Sequence, residues 1–130
     1  MDNRISDKLH RVADRSTLRL THSGRKSGKP YQVTIWFIVD GEKILLTTAN
    51  IDRNWVRNVR KTAHVEFAIG TENFAGTARF LESESDRGRV LAMVKRKYWI
   101  ATPMLALSRL FAALGAGASN FGAFEVTLSA

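Results

Sequence analysis

The sequence contains no cysteine and only two prolines in 130 residues. Without thiols, disulfide frameworks, zinc–thiolate sites, iron–sulfur clusters and cysteine nucleophiles are excluded, and a reducing, cytoplasmic location is the expectation. The N-terminus lacks a long apolar run, so neither a signal peptide nor a transit peptide is predicted. Apolar and charged fractions of 45% and 25% are ordinary for globular proteins, and the length predicts a single domain over residues 1–130.

Acidic residues are scarce relative to basic ones: twelve Asp and Glu face twenty Lys and Arg, which gives a formal net charge of +8. The excess is concentrated, because residues 19–61 carry nine basic side chains against three acidic ones, a local excess of +6. A cluster of this kind predicts a binding site for an anion.

Long hydrophobic segments are limited to residues 98–118, which Pro103 and Arg109 interrupt. A central Arg opposes membrane insertion by about 2.5–3.5 kcal/mol, and the uninterrupted apolar part is well short of the ~20 residues that a spanning helix needs. The apolar side chains between Met104 and Leu114 nevertheless cover more than one helix face. We therefore expect a homodimer whose partner subunit covers the second face, with peripheral membrane or lipid contact through residues 98–118 as the alternative.

The spacing of apolar residues predicts short strands joined mainly by hairpins, with helices around them. Helices are predicted near residues 3–15, from an N-cap at Asp52 to Lys61, near 83–99 and from about 103 to 114. Strands are predicted at 17–21, 31–39, 43–49, 63–69, 74–81 and 124–128, with turns at Asp40-Gly41 and over residues 70–73. Because no βαβ rhythm is present, we expect a mainly β (α+β) fold, an antiparallel six-stranded barrel with flanking helices.

The loop Gly24-Arg25-Lys26-Ser27-Gly28-Lys29 combines a flexible backbone with side-chain donors that suit a phosphate group. It is not a Walker A loop, because its two glycines are one residue too close together and Pro30 follows Lys29. An anion-binding loop is one interpretation, and a solvated basic hairpin is the other.

A second candidate feature begins at the strand end Thr47-Thr48-Ala49-Asn50, whose hydroxyl and backbone groups suit contacts with a phosphate. Trp55 and Asn58 lie three residues apart and therefore share one face of the predicted helix, where they offer a ring and an amide. The alternative is that Trp55 packs in the core and Asn58 caps the helix or faces water.

Side chains for hydrolytic or metal chemistry are not grouped in the sequence. His10, His22 and His64 are scattered, no Gly-x-Ser-x-Gly elbow occurs, and no metal-ligand spacing is present, so no metal is predicted. Tyr31 and Tyr98 are candidates for proton donors or pocket walls, with core packing as the alternative role of each.

Three motifs together resemble one known family over about residues 17–82. They are Leu20-Thr-x-x-Gly-Arg-Lys-Ser-Gly28, Ile35-Trp-Phe-Ile-Val-Asp-Gly41 and Arg53-Asn-Trp-x-x-Asn58, and they are similar to the deazaflavin-dependent nitroreductase group of the flavin-binding split-barrel superfamily. The resemblance implies a split β-barrel of the FMN-binding type, commonly dimeric, that binds coenzyme F420, with relatives that use FMN or bind haem or biliverdin. The sequence departs from the family pattern before the third motif, where the usual glycine-rich turn is shortened to Asn50-Ile51-Asp52.

The resemblance also implies which side chains contact the cofactor. In the family, the basic loop and the end of the third strand contact its phosphate and acidic tail, which assigns that role to Arg25, Lys26, Ser27, Thr48 and Asn50. Ala49 and the third motif complete the predicted site with Arg53, Trp55 and Asn58. Catalytic residues stay unassigned, with Tyr98 and Tyr31 as the candidates for proton donation.

An anionic, aromatic cofactor in a basic loop accounts for the missing catalytic dyad, because hydride transfer is the cofactor's chemistry and the protein orients and shields it. We expect an oxidoreductase that transfers a hydride from reduced F420, or FMN, to a small electron-poor acceptor such as a quinone, enone or nitroaromatic. The alternative is a non-catalytic tetrapyrrole- or lipid-binding protein. A nucleic-acid module ranks last, since aromatic residues do not interleave with the basic ones, and no nucleic-acid partner is expected.

Overall fold

The computed structural model describes residues 3–101 and 120–129. Within these ranges the chain forms three helices and six strands, which are α1 (Asn3–Val12), β1 (Thr17–Ser23), β2 (Pro30–Asp40), β3 (Lys43–Thr48), α2 (Asn54–Lys61), β4 (His64–Ile69), β5 (Glu72–Phe80), α3 (Glu84–Ala101) and β6 (Gly122–Leu128). The helix predicted over residues 103–114 lies outside the described residues.

The six strands form a closed barrel in the order β1-β2-β3-β6-β5-β4, and β4 pairs with β1 to complete it. Each neighbouring pair is antiparallel. Alternation of apolar and polar residues along the strands directs one set of side chains into the barrel, as the burial pattern of β1 shows. The predicted mainly β, antiparallel barrel with flanking helices is confirmed.

Several predicted element boundaries are wrong by a few residues. α1 ends at Val12, and Arg15 N–H donates to the Val12 carbonyl in the turn that follows. The turn expected over residues 70–73 is confined to Gly70 and Thr71, because Gly70 adopts a φ of +61° and Glu72 already pairs with Ile69. A two-residue hairpin turn of this kind requires positive φ, which glycine adopts without steric cost.

The start of α2 also differs from the prediction. Arg53, rather than Asp52, occupies the N-cap position, and no side chain caps the helix there. Asp52 belongs to the preceding turn, where its N–H donates to Asn50 Oδ1, and its carboxylate pairs with Arg57. The first backbone N–H groups of α2 are therefore left without a side-chain acceptor. At α3 a side-chain cap is present, since Ser83 Oγ accepts from the Asp86 N–H.

Helices cover the barrel on two sides. α1 and α2 bury apolar side chains against the barrel interior, where Leu9, Trp55 and Val56 join residues such as Leu20 and Phe37 in one cluster. α3 packs on the outside of β2, β3 and β6, where Val90, Val94 and Tyr98 meet a second cluster that includes Leu45 and Phe121. Burial of these apolar surfaces supplies the main stabilising contribution to the fold.

The barrel wall opens between β2 and β3. Their pairing runs from Asp40 with Lys43 only as far as Phe37 with Leu46. Residues 30–36 of β2 continue along β1, whereas β3 continues along β6 to the pair of Thr48 with Gly122. The two strands therefore diverge beyond Phe37, and the cleft described below begins at this divergence.

Tyr98 of α3 fixes the backbone where β1 begins and β2 starts to diverge from β3. Its hydroxyl lies 2.7 Å from the Ser16 carbonyl oxygen and accepts from the Phe37 N–H at 3.1 Å. Its ring stacks on Trp36 with centroids 3.8 Å apart, and Lys97 Nζ donates to the Phe37 carbonyl at 2.9 Å. Burial raises the pKa of Tyr98 to about 12, so the hydroxyl is protonated and bound to backbone at neutral pH.

Replacing Tyr98 with phenylalanine is expected to lower the free energy of unfolding by about 1–3 kcal/mol, because buried backbone groups lose their partner while the ring is kept. The matched control is Tyr31→Phe, which removes a hydroxyl from a side chain that is 49% exposed and should change stability by less than about 0.5 kcal/mol. Urea denaturation followed by circular dichroism measures both. Equal effects of the two variants would contradict this role of the Tyr98 hydroxyl.

Candidate functional site

A cleft starts where β2 and β3 diverge and continues beneath the basic loop, residues 24–29. The loop compartment has a volume of about 690 Å³ and is lined by His22, Gly24, Arg25, Lys26, Ser27, Tyr31, Val33, Arg53, Asn54, Trp55 and Asn58. The split compartment has a volume of about 320 Å³ and is lined by Val33, Thr34, Ile35, Trp36, Thr47, Thr48, Ala49, Arg53, Trp55, Val94 and Phe121. Val33, Arg53 and Trp55 line both, so the two compartments adjoin, and together they are called the cleft; each has a size that suits part of a small-molecule ligand.

The basic loop is closed by its own backbone. Gly24 N–H donates to the Lys29 carbonyl at 2.9 Å, and Gly28 N–H donates to the Gly24 carbonyl at 3.0 Å. Gly28 adopts a φ of +71°, and a Cβ on Gly24 would lie 2.9 Å from both Ser27 Oγ and the Tyr31 ring. Glycine is required at the first position for space and favoured at the second for backbone conformation.

Arg25 and Asn58, both predicted to contact a cofactor, contact each other. Asn58 Oδ1 accepts from the Arg25 N–H at 3.1 Å and from Arg25 Nη1 at 2.9 Å. Arg25 Nη1 also donates to the Asn54 carbonyl at 3.2 Å, and Lys61 Nζ donates to the Arg25 carbonyl at 2.9 Å. Arg25 therefore attaches the loop to α2, a role that the sequence pattern did not indicate.

Lys26, Ser27 and Arg53 line the loop compartment and carry hydrogen-bond donors. In the part of the chain that the structure describes, no hydrogen bond or ion pair engages the side chain of Lys26 or Arg53, and both side chains are exposed. Ser27 Oγ accepts from the Lys29 N–H at 3.2 Å, which leaves its hydroxyl proton for a ligand. The uncapped N-terminus of α2 adds backbone N–H groups at Asn54 and Trp55, so this end of the cleft is suited to anions.

The strand end at Thr48 and Asn50 is held together by local hydrogen bonds. Thr48 Oγ1 donates to the Asn50 carbonyl at 2.9 Å and accepts from the Asn50 N–H at 3.1 Å. Asn50 Oδ1 accepts from the Asp52 N–H at 2.9 Å. Thr48 and Ala49 line the split compartment, whereas the structure does not bring Asn50 into the lining of either compartment.

Aromatic side chains form the walls of the cleft. Trp55 is buried against Phe124, with ring centroids 5.8 Å apart, and forms the border between the two compartments. Trp36 and Phe121 line the split compartment, and Tyr31 stacks on His22 in the loop compartment with centroids 5.9 Å apart. Flat side chains of this kind suit a flat aromatic ligand.

The two tyrosines considered as proton donors occupy different environments. Tyr31 lines the loop compartment and is 49% exposed. Tyr98 is fully buried and lines neither compartment, and its hydroxyl is bound to backbone groups. The structure therefore brings Tyr31, and not Tyr98, to the cleft.

A larger groove of about 860 Å³ lies away from the cleft, between α1 and the outer face of β1, β4 and β5. Lys8 bonds to the Asn73 carbonyl and lies over the Phe74 ring there, and Arg19 and Glu66 contribute opposite charges. The groove contains none of the predicted site residues.

Within residues 3–101 and 120–129, no group of side chains could hold a metal ion. The helices in these ranges are too short or too polar to span a membrane.

The model of the F420H(2)-dependent quinone reductase family matches residues 3–101. The chain belongs to this family. It is thus an F420-dependent oxidoreductase, and the family membership predicted from the three motifs is confirmed. No protein of curated function matches the sequence.

Solved structures support the same fold for this quinone reductase family member. An F420-H2 dependent reductase (FDR-A) is 21% identical, with 87% of this chain and 95% of that chain covered and a TM-score of 0.64. An F420 reductase is 16% identical, with 93% of each chain covered and a TM-score of 0.66. A putative pyridoxamine 5'-phosphate oxidase from Listeria innocua is 15% identical, with 97% and 94% covered and a TM-score of 0.69. The expected split-barrel type of fold is confirmed.

Residues of the reductase cleft that the sequence did not indicate include His22, Val33, Trp36 and Phe121. Trp36 and Phe121 lie far apart in sequence, so spacing alone does not group them. His22 carries one usable signal, since it alternates with Leu18 and Leu20 on the inward face of β1. An inward-facing histidine two residues before the basic loop marks a polar position at the core boundary.

Proposed function

We propose that this reductase transfers a hydride from reduced F420 to a small, flat, electron-poor acceptor, and that a quinone is the first candidate among these. One observation carries the proposal: in the part of the chain that the structure describes, two adjoining compartments combine cations without a hydrogen-bond or ion-pair partner at one end with aromatic walls at the other. F420 has the matching composition, because an acidic tail with a phosphodiester and carboxylates is joined to a flat ring. The donor set therefore fits this cofactor.

We assign recognition of the acidic tail to Lys26, Ser27 and Arg53, together with the N-terminal N–H groups of α2. The Lys26 and Arg53 side chains are exposed, and within the described residues no ion pair has to be broken when they bind an anion. Charge-assisted hydrogen bonds of this type are roughly twice as strong as neutral ones. Arg25 supports the loop through α2 and contributes positive potential.

We assign the flat parts of cofactor and acceptor to the region bounded by Val33, Trp36, Trp55 and Phe121. Bound reduced F420 supplies a hydride to the acceptor. The protein's contribution is to hold the two rings against each other and to exclude water from the split compartment. No proton donor is assigned, because Tyr31 lines only the loop compartment, where the acidic tail is placed, and Tyr98 lines neither compartment.

Anaerobic turnover tests the proposed function. Purified protein is mixed with reduced F420 and, in separate reactions, a quinone, an enone and a nitroaromatic, while the reappearance of oxidised cofactor is followed by absorbance. We expect the quinone to be reduced, and reduced FMN to support a far lower rate. Turnover with reduced FMN and none with reduced F420 would contradict the cofactor assignment, and haem binding without turnover would favour the tetrapyrrole-binding alternative.

We also propose a homodimer, on the ground that the apolar residues between Met104 and Leu114 cover more than one helix face. These residues lie outside the described ranges, so the proposal rests on the sequence. Sedimentation equilibrium in dilute buffer without detergent tests it. A dimer supports the proposal, and a monomer would favour the lipid-contact alternative for residues 98–118.

A further inference from the structure

The side chain of Asn58 has a single orientation that its neighbours fix. Two donors, the Arg25 N–H at 3.1 Å and Arg25 Nη1 at 2.9 Å, converge on Oδ1. The amide nitrogen Nδ2 therefore points the other way, where it lies 3.0 Å from His22 Nδ1. Rotating the amide by half a turn would place Nδ2 against both Arg25 donors and lose their hydrogen bonds. Asn58 and His22 are each only 6% exposed, so water does not replace these bonds at low cost.

The orientation of Asn58 determines the protonation state of His22. An amide nitrogen is only a donor, so His22 Nδ1 must accept, and the ring must be neutral with its proton on Nε2. Burial lowers the pKa of His22 below its usual value of 6.5, which acts in the same direction. A proton added at Nδ1 would meet the amide N–H, and this contact between two donors would break the hydrogen bond.

The contacts continue from His22 to the part of the loop that lines the cleft. Arg25 joins Asn58 to the loop, and its carbonyl accepts from Lys61 Nζ at 2.9 Å. Lys26 and Ser27 follow directly and line the loop compartment. A protonated Nδ1 finds an acceptor only if the amide rotates and turns Oδ1 toward it, and that rotation releases both Arg25 donors that attach the loop to α2.

Other ionisable groups around His22 do not supply an alternative partner. On the β2 side Tyr31 stacks on the ring, and the charged residues that line the loop compartment with His22 are Arg25, Lys26 and Arg53. On the β4 side, Glu66 is in register with Thr21, and both line the separate outer groove. A protonated His22 therefore faces cations and a phenol rather than a carboxylate.

We propose that His22 and Asn58 are positioning residues that hold the basic loop in its cofactor-binding arrangement only while the imidazole is neutral. The claim about the position of the loop rests only on contacts within this chain. The claim about F420 binding also rests on the proposed function. Low pH favours the state in which the hydrogen bond between Asn58 and His22 is broken, because in that state the imidazole regains its ordinary affinity for a proton. The opened fraction therefore grows as pH falls below about 6.5.

Nuclear magnetic resonance of the ligand-free protein tests the contact directly. In the wild type, we expect the His22 ring to be the Nε2–H tautomer and to titrate below 6.5, and the Arg25 amide proton to be protected from exchange. In Asn58→Leu the Arg25 amide should exchange faster, and the His22 titration should change. A wild-type His22 that carries its proton on Nδ1, or Arg25 protection that is unaffected by Asn58→Leu, would overturn the proposal.

Asn58→Asp is the second variant and keeps the proposal testable if Asn58→Leu does not fold. A carboxylate still accepts from Arg25 and offers His22 an acceptor in both protonation states. The wild type should bind F420 more weakly at pH 5 than at pH 7.5. Asn58→Asp should remove this loss, and Asn58→Leu should weaken binding about 10- to 100-fold at pH 7.5, the equivalent of one to three lost hydrogen bonds. Identical pH profiles in the wild type and Asn58→Asp would overturn the role of His22.

The measurements without ligand and the F420-binding measurements distinguish the loop contact from the proposed function. If the ligand-free protein shows the Nε2–H tautomer and the protected Arg25 amide but F420 does not bind at pH 7.5, the proposed function fails and the loop contact stands. If F420 binds tightly while the loop is unaffected by Asn58→Leu, the positioning role fails and the proposed function stands.

Discussion

Replacement of Trp55 with alanine is expected to lower the free energy of unfolding by about 3–5 kcal/mol, the usual cost of truncating a buried aromatic side chain. Trp55 is 6% exposed, belongs to the interior cluster, and packs against Phe124 at a centroid distance of 5.8 Å. Because the same ring borders both compartments of the cleft, the variant should also lose affinity for F420.

The measurement is urea denaturation followed by far-ultraviolet circular dichroism, which does not depend on the removed indole. Trp55→Phe is the matched control, since it keeps a ring against Phe124 and should retain most of the stability. A loss below about 1 kcal/mol in Trp55→Ala, within the range of ordinary surface substitutions and small repacking effects, would show that Trp55 is not part of the core.

Removal of both unpartnered cations of the cleft, in the double variant Lys26→Ala/Arg53→Ala, is expected to weaken F420 binding by about 100- to 10,000-fold. Each lost charge-assisted contact costs about 1.5–3 kcal/mol, and the effects of separate sites add. Neither side chain has an internal partner in the described part of the chain, so stability should change little. Fluorescence titration with F420 measures the affinity.

The matched control is Lys29→Ala/Arg57→Ala, which removes the same charge from the same loop and helix. Neither Lys29 nor Arg57 lines the cleft, and the Arg57 partner Asp52 is exposed. The control should weaken binding by less than about 10-fold, because solvent and salt screen charges outside the site. Equal losses in the two double variants would show that net charge, and not this cleft, attracts the cofactor.

The sequence was sufficient to predict the barrel because its signals are local. Hairpin turns at Gly41-Glu42, one residue later than the predicted Asp40-Gly41, and at Gly70-Thr71, together with alternation along the strands, determine antiparallel pairing and the identity of the inward face. The cap of α2 was mispredicted for an equally local reason. Asp52 resembles an N-cap by type, yet the turn formed by Asn50 uses the Asp52 N–H and shifts the helix start to the following residue.

The sequence indicated which types of residue form the site, but the role of each residue depends on its contacts in the folded protein. Arg25 and Lys26 are adjacent cations of similar chemistry, and only the position of Asn58 shows that Arg25 attaches the loop while Lys26 faces the cleft. Trp36 and Phe121 line the same compartment because the pairing of β2 with β3 ends at Phe37, and no short sequence motif indicates where that pairing ends.

The most direct test of the central claim compares F420 with the same deazaflavin ring and ribityl chain that lacks the phosphodiester and the glutamates. Both ligands are titrated into wild-type protein at pH 7.5 and low salt, and their dissociation constants are compared. If the basic loop and the N-terminus of α2 hold the acidic tail, the tail-less compound should bind at least about 100-fold more weakly, because it forfeits two or more charge-assisted contacts. Equal dissociation constants for the two ligands would contradict the claim that this end of the cleft binds the cofactor.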